Sequence, residues 1–260
     1  MPEVSGVRTP VLFISHGAPT LADDAIWTKQ LSGLASDLPK PSAILIVSAH
    51  WEEAPVALGA TTTVPLIHDF HGFEQHYYDV RYPAPGAPRL ADAVHKILGG
   101  RDTPVQSFPE RGLDHGAYVP LVEMFPEADV PVLQMSMPSL NPQELMRMGQ
   151  KLAPLRDAGV LIVGSGFFTH NLNAINFDNN VSSFMREFDE WGHQALIAQD
   201  VDALLDFQSK APAAHLAHPR TEHFAPLFVA LGAGHEELDG ARTVVDGFWN
   251  GLAKRSVRIA

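Results

Sequence analysis

The sequence predicts a single α/β domain: a central, mostly parallel or mixed sheet flanked by helices, with a metal site at the C-terminal ends of its strands. Three observations carry this reading. Short apolar runs alternate with helix-like segments through most of the chain, the pattern of α/β folds. The clearest runs end at histidines, His16 and His50, and open parallel sheets build their sites beyond the carboxyl ends of strands. The 260 residues, 45% of them hydrophobic, can bury one large core, and no repeat, low-complexity segment or linker divides residues 1–260.

The elements follow in order. Val11 to Ser15 is an apolar run and reads as a buried strand ending at His16. Leu21 to Leu38 has helical spacing, with Leu21, Ile26, Leu31 and Leu34 on one face, and Pro39 and Pro41 stop it. Ser42 to Ser48 is the clearest strand and runs into Ala49-His50-Trp51. Val56 to Ala60 and Pro104 to Phe108 are shorter strand candidates. Between them, Pro88 to Leu98 reads as a helix closed by Gly99-Gly100. Residues 61–88 are rich in Pro, Gly, His and Tyr without periodicity; irregular stretches of that length inside compact domains are often functional.

Ala117 to Phe125 reads as a short helix and Val130 to Met135 as a strand. Asn141-Pro142 opens a helix running to about Leu155, with Asn141 as its N-cap. Gly159 to Val163 is a further buried strand, turning at Gly164-Ser165-Gly166. Residues 179–208 read as mostly helical, and Glu222 to Leu231 as a helix ended by Gly232. Thr243 to Trp249 and Arg255 to Ile259 read as closing strands that can pair antiparallel.

Composition excludes several classes. The net charge of -12 argues against a general nucleic-acid binder. Without cysteine there are no disulfides, thiolate metal sites, iron–sulfur clusters or cysteine nucleophile, so a metal must take nitrogen and oxygen ligands. The first residues lack the basic and apolar segments of a signal peptide, and no stretch is long and apolar enough to span a bilayer. A soluble cytoplasmic protein, monomer or homodimer, is expected.

Of thirteen histidines, His95, His193 and His235 are expected to be structural or exposed. His16, His50, His115, His170 and His223 sit beside small or turn-forming residues, and neutral imidazole is the commonest transition-metal ligand near pH 7. If the strands before His16 and His50 are neighbours, about 4.8 Å apart, the two side chains suit one ion. Glu222 and His223 leave the third ligand open between a two-histidine, one-carboxylate site and a three-histidine site. His170 is placed to act as an acid–base group, with Asn171 able to orient it. Asp114 can raise the basicity of His115 if the two meet. A Gly-x-Ser-x-Gly elbow and a His-Glu-x-x-His motif are both missing, and Gly164-Ser165-Gly166 lacks the full dinucleotide-binding spacing.

Seven segments in order resemble the class III extradiol ring-cleavage dioxygenases, in the branch typified by DOPA 4,5-dioxygenase. They are Ser15-His16-Gly17-Ala18-Pro19, Ser48-Ala49-His50-Trp51, Ile67-His68-Asp69-Phe70-His71-Gly72-Phe73, Tyr82-Pro83-Ala84-Pro85-Gly86, Leu113-Asp114-His115-Gly116, Thr169-His170-Asn171-Leu172 and Glu222-His223-Phe224-Ala225-Pro226-Leu227. The resemblance implies a mononuclear non-haem metal held by His16, His50 and His223, with His170 as acid–base residue and His115 orienting substrate or oxygen. It implies Fe(II) for oxygen-dependent cleavage of a catechol, while Zn(II) also suits three histidines. Residues 61–88, through His68, His71, His76, Tyr77, Tyr78 and Tyr82, would wall the pocket, and Arg81 and Arg220 could meet a substrate carboxylate. The competing readings are a zinc hydrolase and a non-catalytic binding protein on the same fold.

Overall fold

The computed structural model describes residues 8–100, 104–178 and 180–260. The expectations for residues 1–7 and for the first residue of the 179–208 segment therefore lie outside the described residues. The strands are β1 (Val11–Ser15), β2 (Ala43–Glu52), β3 (Ala57–Leu58), β4 (Gln106–Ser107), β5 (Val132–Met137), β6 (Val160–Gly166), β7 (Arg242–Val245), β8 (Phe248–Trp249), β9 (Leu252–Ala253) and β10 (Ser256–Ile259). Eight of them form one sheet in the order β4-β3-β5-β2-β6-β1-β10-β7, and β8 and β9 make a separate hairpin. The central strands β5, β2, β6 and β1 run parallel. β10 pairs antiparallel with β1 and β7, and β3 antiparallel with β5. The sheet is mixed, as the sequence predicts.

β1, β5 and β6 are buried at every position, which explains their near-continuous apolar character. Helices cover both faces. Successive β6 residues point to opposite sides. A Cβ at Gly164 would meet Pro226, while the Ser165 hydroxyl reaches the backbone of Gly116. One face therefore receives the Pro226–Ala233 helix and the other the His115–Met124 helix. The Pro226–Ala233 helix is buried all round and packs on the Pro142–Leu152 helix, whose N-cap is Asn141 as expected.

Several boundaries differ from the sequence reading for identifiable reasons. Asp24 caps the first α-helix, accepting from the Ile26 and Trp27 amides, so that helix spans Ala25–Ser36 and Pro19–Asp23 forms a 3₁₀ turn before it. The cap sets the phase: Trp27, Leu31 and Leu34 face inward, and Ile26, expected inside, is 68% exposed. Gly164-Ser165-Gly166 is the end of β6 rather than a turn. Glu222 and His223 precede their helix, because Pro226 occupies its first turn. The expected Thr243–Trp249 strand divides into β7 and β8 around Gly247, which adopts a φ of 91°.

Candidate metal centre

β1 and β2 are not neighbours; β6 runs between them. The expected convergence of His16 and His50 nevertheless occurs, because β6 ends in small residues that let the two rings lean together over Ser165. The Ser165 hydroxyl donates to the Gly116 carbonyl and accepts from His16 Nδ1 at 3.0 Å. His16 thereby keeps its proton on Nδ1 and presents the Nε2 lone pair. His50 lies within β2 rather than beyond it, in the stretch between Val47 and Glu52 where pairing with β5 shifts register. Its Nδ1 is 3.6 Å from Asp69 Oδ2, and its Nε2 is 3.0 Å from His16 Nε2.

His223 approaches from the other face. The Phe167 amide donates to the His223 carbonyl at 2.8 Å, and a Cβ at Gly166 would overlap that carbonyl oxygen. Gly166 thus admits the turn carrying His223. Glu222 Oε1 accepts from His223 Nδ1 at 2.8 Å, so Glu222 orients the imidazole and His223 supplies the Nε2 lone pair. His115 begins its helix. Asp114 caps that helix by accepting from the Ala117 amide, so the carboxylate meeting His115 is Asp69 instead, at 2.8 Å from Nδ1 and 3.0 Å from the amide. A parallel bridge between Ile67 and Asp114 brings Asp69 there.

His170 stacks on His223, ring centres 3.4 Å apart and 14° from parallel, and its Nδ1 lies 3.7 Å from Glu222 Oε1. Asn171 does not orient it: its side chain accepts from the Asn173 amide and donates to the Leu216 carbonyl. Asp69 and Glu222 were not assigned these positioning roles from sequence. The only signal for Asp69 was its place inside an ordered motif, and Glu222 was weighed there as a ligand.

Burial pushes the imidazole pKa values of His16 and His223 well below 6.5, helped by the neighbouring histidines. Burial lowers His50 to about 3 and His170 to about 4, against the opposing pull of Asp69 and Glu222. These rings are neutral at pH 7, the form that coordinates metal. Asp69 falls to about 2: burial opposes its ionisation, but the hydrogen bonds and charge of His115 outweigh it.

The donor atoms form two groups of three lying within 4.8 Å of one another: His16, His50 and His115, and His170, Glu222 and His223. Ring spacing separates the alternatives. An imidazole bound through Nε2 at about 2.1 Å carries its ring centre about 3.2 Å from the ion, so rings at right or tetrahedral angles lie about 4.6–5.3 Å apart. His16–His50 and His50–His223, spaced 5.0 and 4.9 Å, fall in that range, and His16–His223, at 5.5 Å, lies just beyond it. His50–His115 at 4.0 Å and the stacked His170–His223 pair are too close. The Nε2 atoms of His16 and His50, 3.0 Å apart, can share one cation, so the histidine cluster fits a metal.

All five histidines border a cavity of about 380 Å³, within the usual range for small-molecule sites. Its remaining wall is Gly17, Ala18, Phe73, Phe167, Leu172, Ile175, Trp249 and Leu252. Of residues 61–88, only Phe73 lines it. His68, His71, His76, Tyr77, Tyr78 and Tyr82 do not; Tyr77 and Tyr82 are buried in the core cluster instead. Arg81 is exposed, and Arg220 pairs with Glu52 and Glu222. His95, His193 and His235 lie elsewhere, bonded to Ser107, Thr243 and the Gly232 carbonyl. Among the described residues no helix is long and apolar enough to cross a membrane.

A mixed α/β sheet with a histidine-lined cavity at its strand ends defines a non-haem metalloenzyme. Residues 10–249 match the family described as the catalytic LigB subunit of aromatic ring-opening dioxygenase. The chain belongs to that family and is an oxidoreductase of the extradiol class. It is 41% identical to "4,5-DOPA dioxygenase extradiol" of Beta vulgaris, over 92% of this chain and 91% of the relative. The protein of that name in Escherichia coli K12 is 37% identical, over 88% and 87%. A crystal structure of an uncharacterized Escherichia coli K12 protein superposes with a TM-score of 0.83 at 32% identity, covering 97% of this chain and all of that one. The hydrolase and binding-protein readings are not favoured.

Proposed function

We propose that residues 1–260 act as one catalytic domain in which His16, His50 and His223 hold a single Fe(II) and open the ring of a catechol with O2, as an extradiol dioxygenase. The convergence of His16 and His50 Nε2 at 3.0 Å, with the His223 ring completing the triangle, is the observation that carries this reading. Two nitrogens at right angles on one ion, each at about 2.1 Å, stand about 3.0 Å apart. The metal would supply Lewis acidity and the redox link between catechol and oxygen, which zinc in the same three-histidine site lacks.

The remaining steps belong to the protein. His170 borders the cavity as a neutral base, its Nδ1 toward Glu222, so its Nε2 accepts a catechol proton and later returns it. Stacking on His223 fixes the plane in which that proton moves. His115, held by Asp69 at both its amide and Nδ1, presents Nε2 to substrate or oxygen. Phe73, Phe167 and Trp249 surround the ring and exclude water. The relatives' names point to DOPA or a related catechol.

Anaerobic reconstitution with Fe(II), addition of a catechol panel and admission of air test the proposal. Oxygen uptake with a yellow ring-opened semialdehyde is expected. Consumption of no catechol, or equal activity with zinc and without oxygen, would refute it.

A further inference from the structure

We infer that Asp114 and Gln134 are positioning residues for the metal ligand His16, acting through the first turn of the His115–Met124 helix. This deepens the dioxygenase reading and rests on it. The turn meets the metal centre at three points. The Gly116 carbonyl accepts from the Ser165 hydroxyl, which accepts in turn from His16 Nδ1. A Cβ on Gly116 would stand 3.0 Å from both His16 Cε1 and His50 Cδ2, so bare backbone packs directly on two ligand rings. His115, in the same turn, borders the cavity. A shift of this turn therefore moves the group that orients His16.

One buried pair fixes the turn. Asp114 and Gln134 are both buried from solvent. The Asp114 amide donates to Gln134 Oε1 at 3.2 Å, which leaves Gln134 Nε2 to donate to Asp114 Oδ2. Asp114 Oδ1 accepts from the Ala117 amide at 3.1 Å, and Oδ2 also accepts from Arg111 Nη2 at 3.2 Å. Arg111 is itself held over the Trp51 ring, 4.3 Å from its centre. Gln134 stands on β5, next to the strand that carries His50, so the pair ties the turn to the sheet. Helix capping alone uses Oδ1 and needs neither Oδ2 nor Gln134. A buried amide that must meet one oxygen and one N–H at once has a single way to pair, and that fixes where the turn sits.

Exchanging the two partners tests the inference. Asp114→Asn keeps an oxygen for the Ala117 amide, and asparagine caps helices as well as aspartate does, but it turns an NH2 group toward Gln134 Nε2 and Arg111. Gln134→Glu sets two carboxylates against each other. The double variant, Asp114→Asn with Gln134→Glu, again places a donor against an acceptor and keeps the net charge beside Arg111. Fe(II) affinity is measured under argon by competition with a chelator, beside the melting temperature and the electron paramagnetic resonance spectrum of the nitric oxide adduct. Each single variant is expected to bind Fe(II) at least about tenfold more weakly, with an altered spectrum, and the double variant to return to within about threefold of the native protein, with the native spectrum. Native affinity and spectrum in the single variants, at any melting temperature, would confine the pair to fold stability and overturn the inference. Weakened single variants with no recovery in the double would overturn it too. Gln134→Met, close in volume but without a hydrogen-bonding amide, serves if a single variant does not fold; it is expected to weaken Fe(II) binding, and native affinity would again overturn the inference. A native protein that takes up no Fe(II) would remove the dioxygenase reading, whereas one that binds Fe(II) no more tightly than its single variants would remove only this inference.

Discussion

His16 and His50 bring their Nε2 atoms within 3.0 Å of each other although β6 separates the strands that carry them. Ser165 makes this possible. It sits on β6 between the two, small enough to be bridged, and its hydroxyl accepts from His16 Nδ1. Ser165→Ala keeps the space but removes the acceptor. Metal affinity, measured by competition with a chelator, is expected to fall about 10–100-fold with the fold retained. Unchanged affinity would show that the hydroxyl does not orient His16.

The two carboxylates should separate by phenotype. Glu222 holds His223, so Glu222→Ala is expected to weaken metal binding about 10–100-fold. Asp69 contacts His115 more closely than His50, so Asp69→Ala is expected to keep most of the metal and lose turnover. Metal content beside kcat distinguishes them; identical behaviour of the two variants would contradict the geometry.

His170→Ala is expected to retain fold and metal while losing at least about 100-fold in rate, near 3 kcal/mol of barrier. Near-normal turnover with full metal occupancy would remove His170 from proton transfer.

How much of this was legible beforehand depended on whether the signal was local. β1 appears at its expected bounds because a five-residue apolar run ends at a histidine. The five site histidines were recognisable from their small neighbours and ordered motifs. The strand order was not, because β1 pairs with β6 and β10, strands far along the chain, and no local pattern encodes such neighbours. Asp69 was equally hidden as a partner of His115, since only the Ile67–Asp114 bridge brings two segments 46 residues apart together. Ile26 was misplaced because one capping aspartate reset the helical phase.

His218 supplies a pH dependence away from the donor atoms. Its Nε2 donates to the Phe168 carbonyl at 3.0 Å, and burial beside Phe188 and Phe224 lowers its pKa to about 4. The unfolded chain, with a pKa of about 6.5, binds the proton first, so stability is full above that pH and is lost as pH falls toward 4. Urea midpoints of His218→Gln, which keeps a donor for Phe168, are expected to decline less steeply over this window, by up to about 1.4 kcal/mol per pH unit. Parallel curves for the two proteins would contradict the assignment.

Anomalous scattering at the iron edge, from crystals reconstituted with Fe(II) under argon, tests the central claim most directly. The account predicts one peak about 2.1 Å from the Nε2 atoms of His16, His50 and His223. A peak that replaces His223 by His115, or that sits on His170 and Glu222, would contradict it.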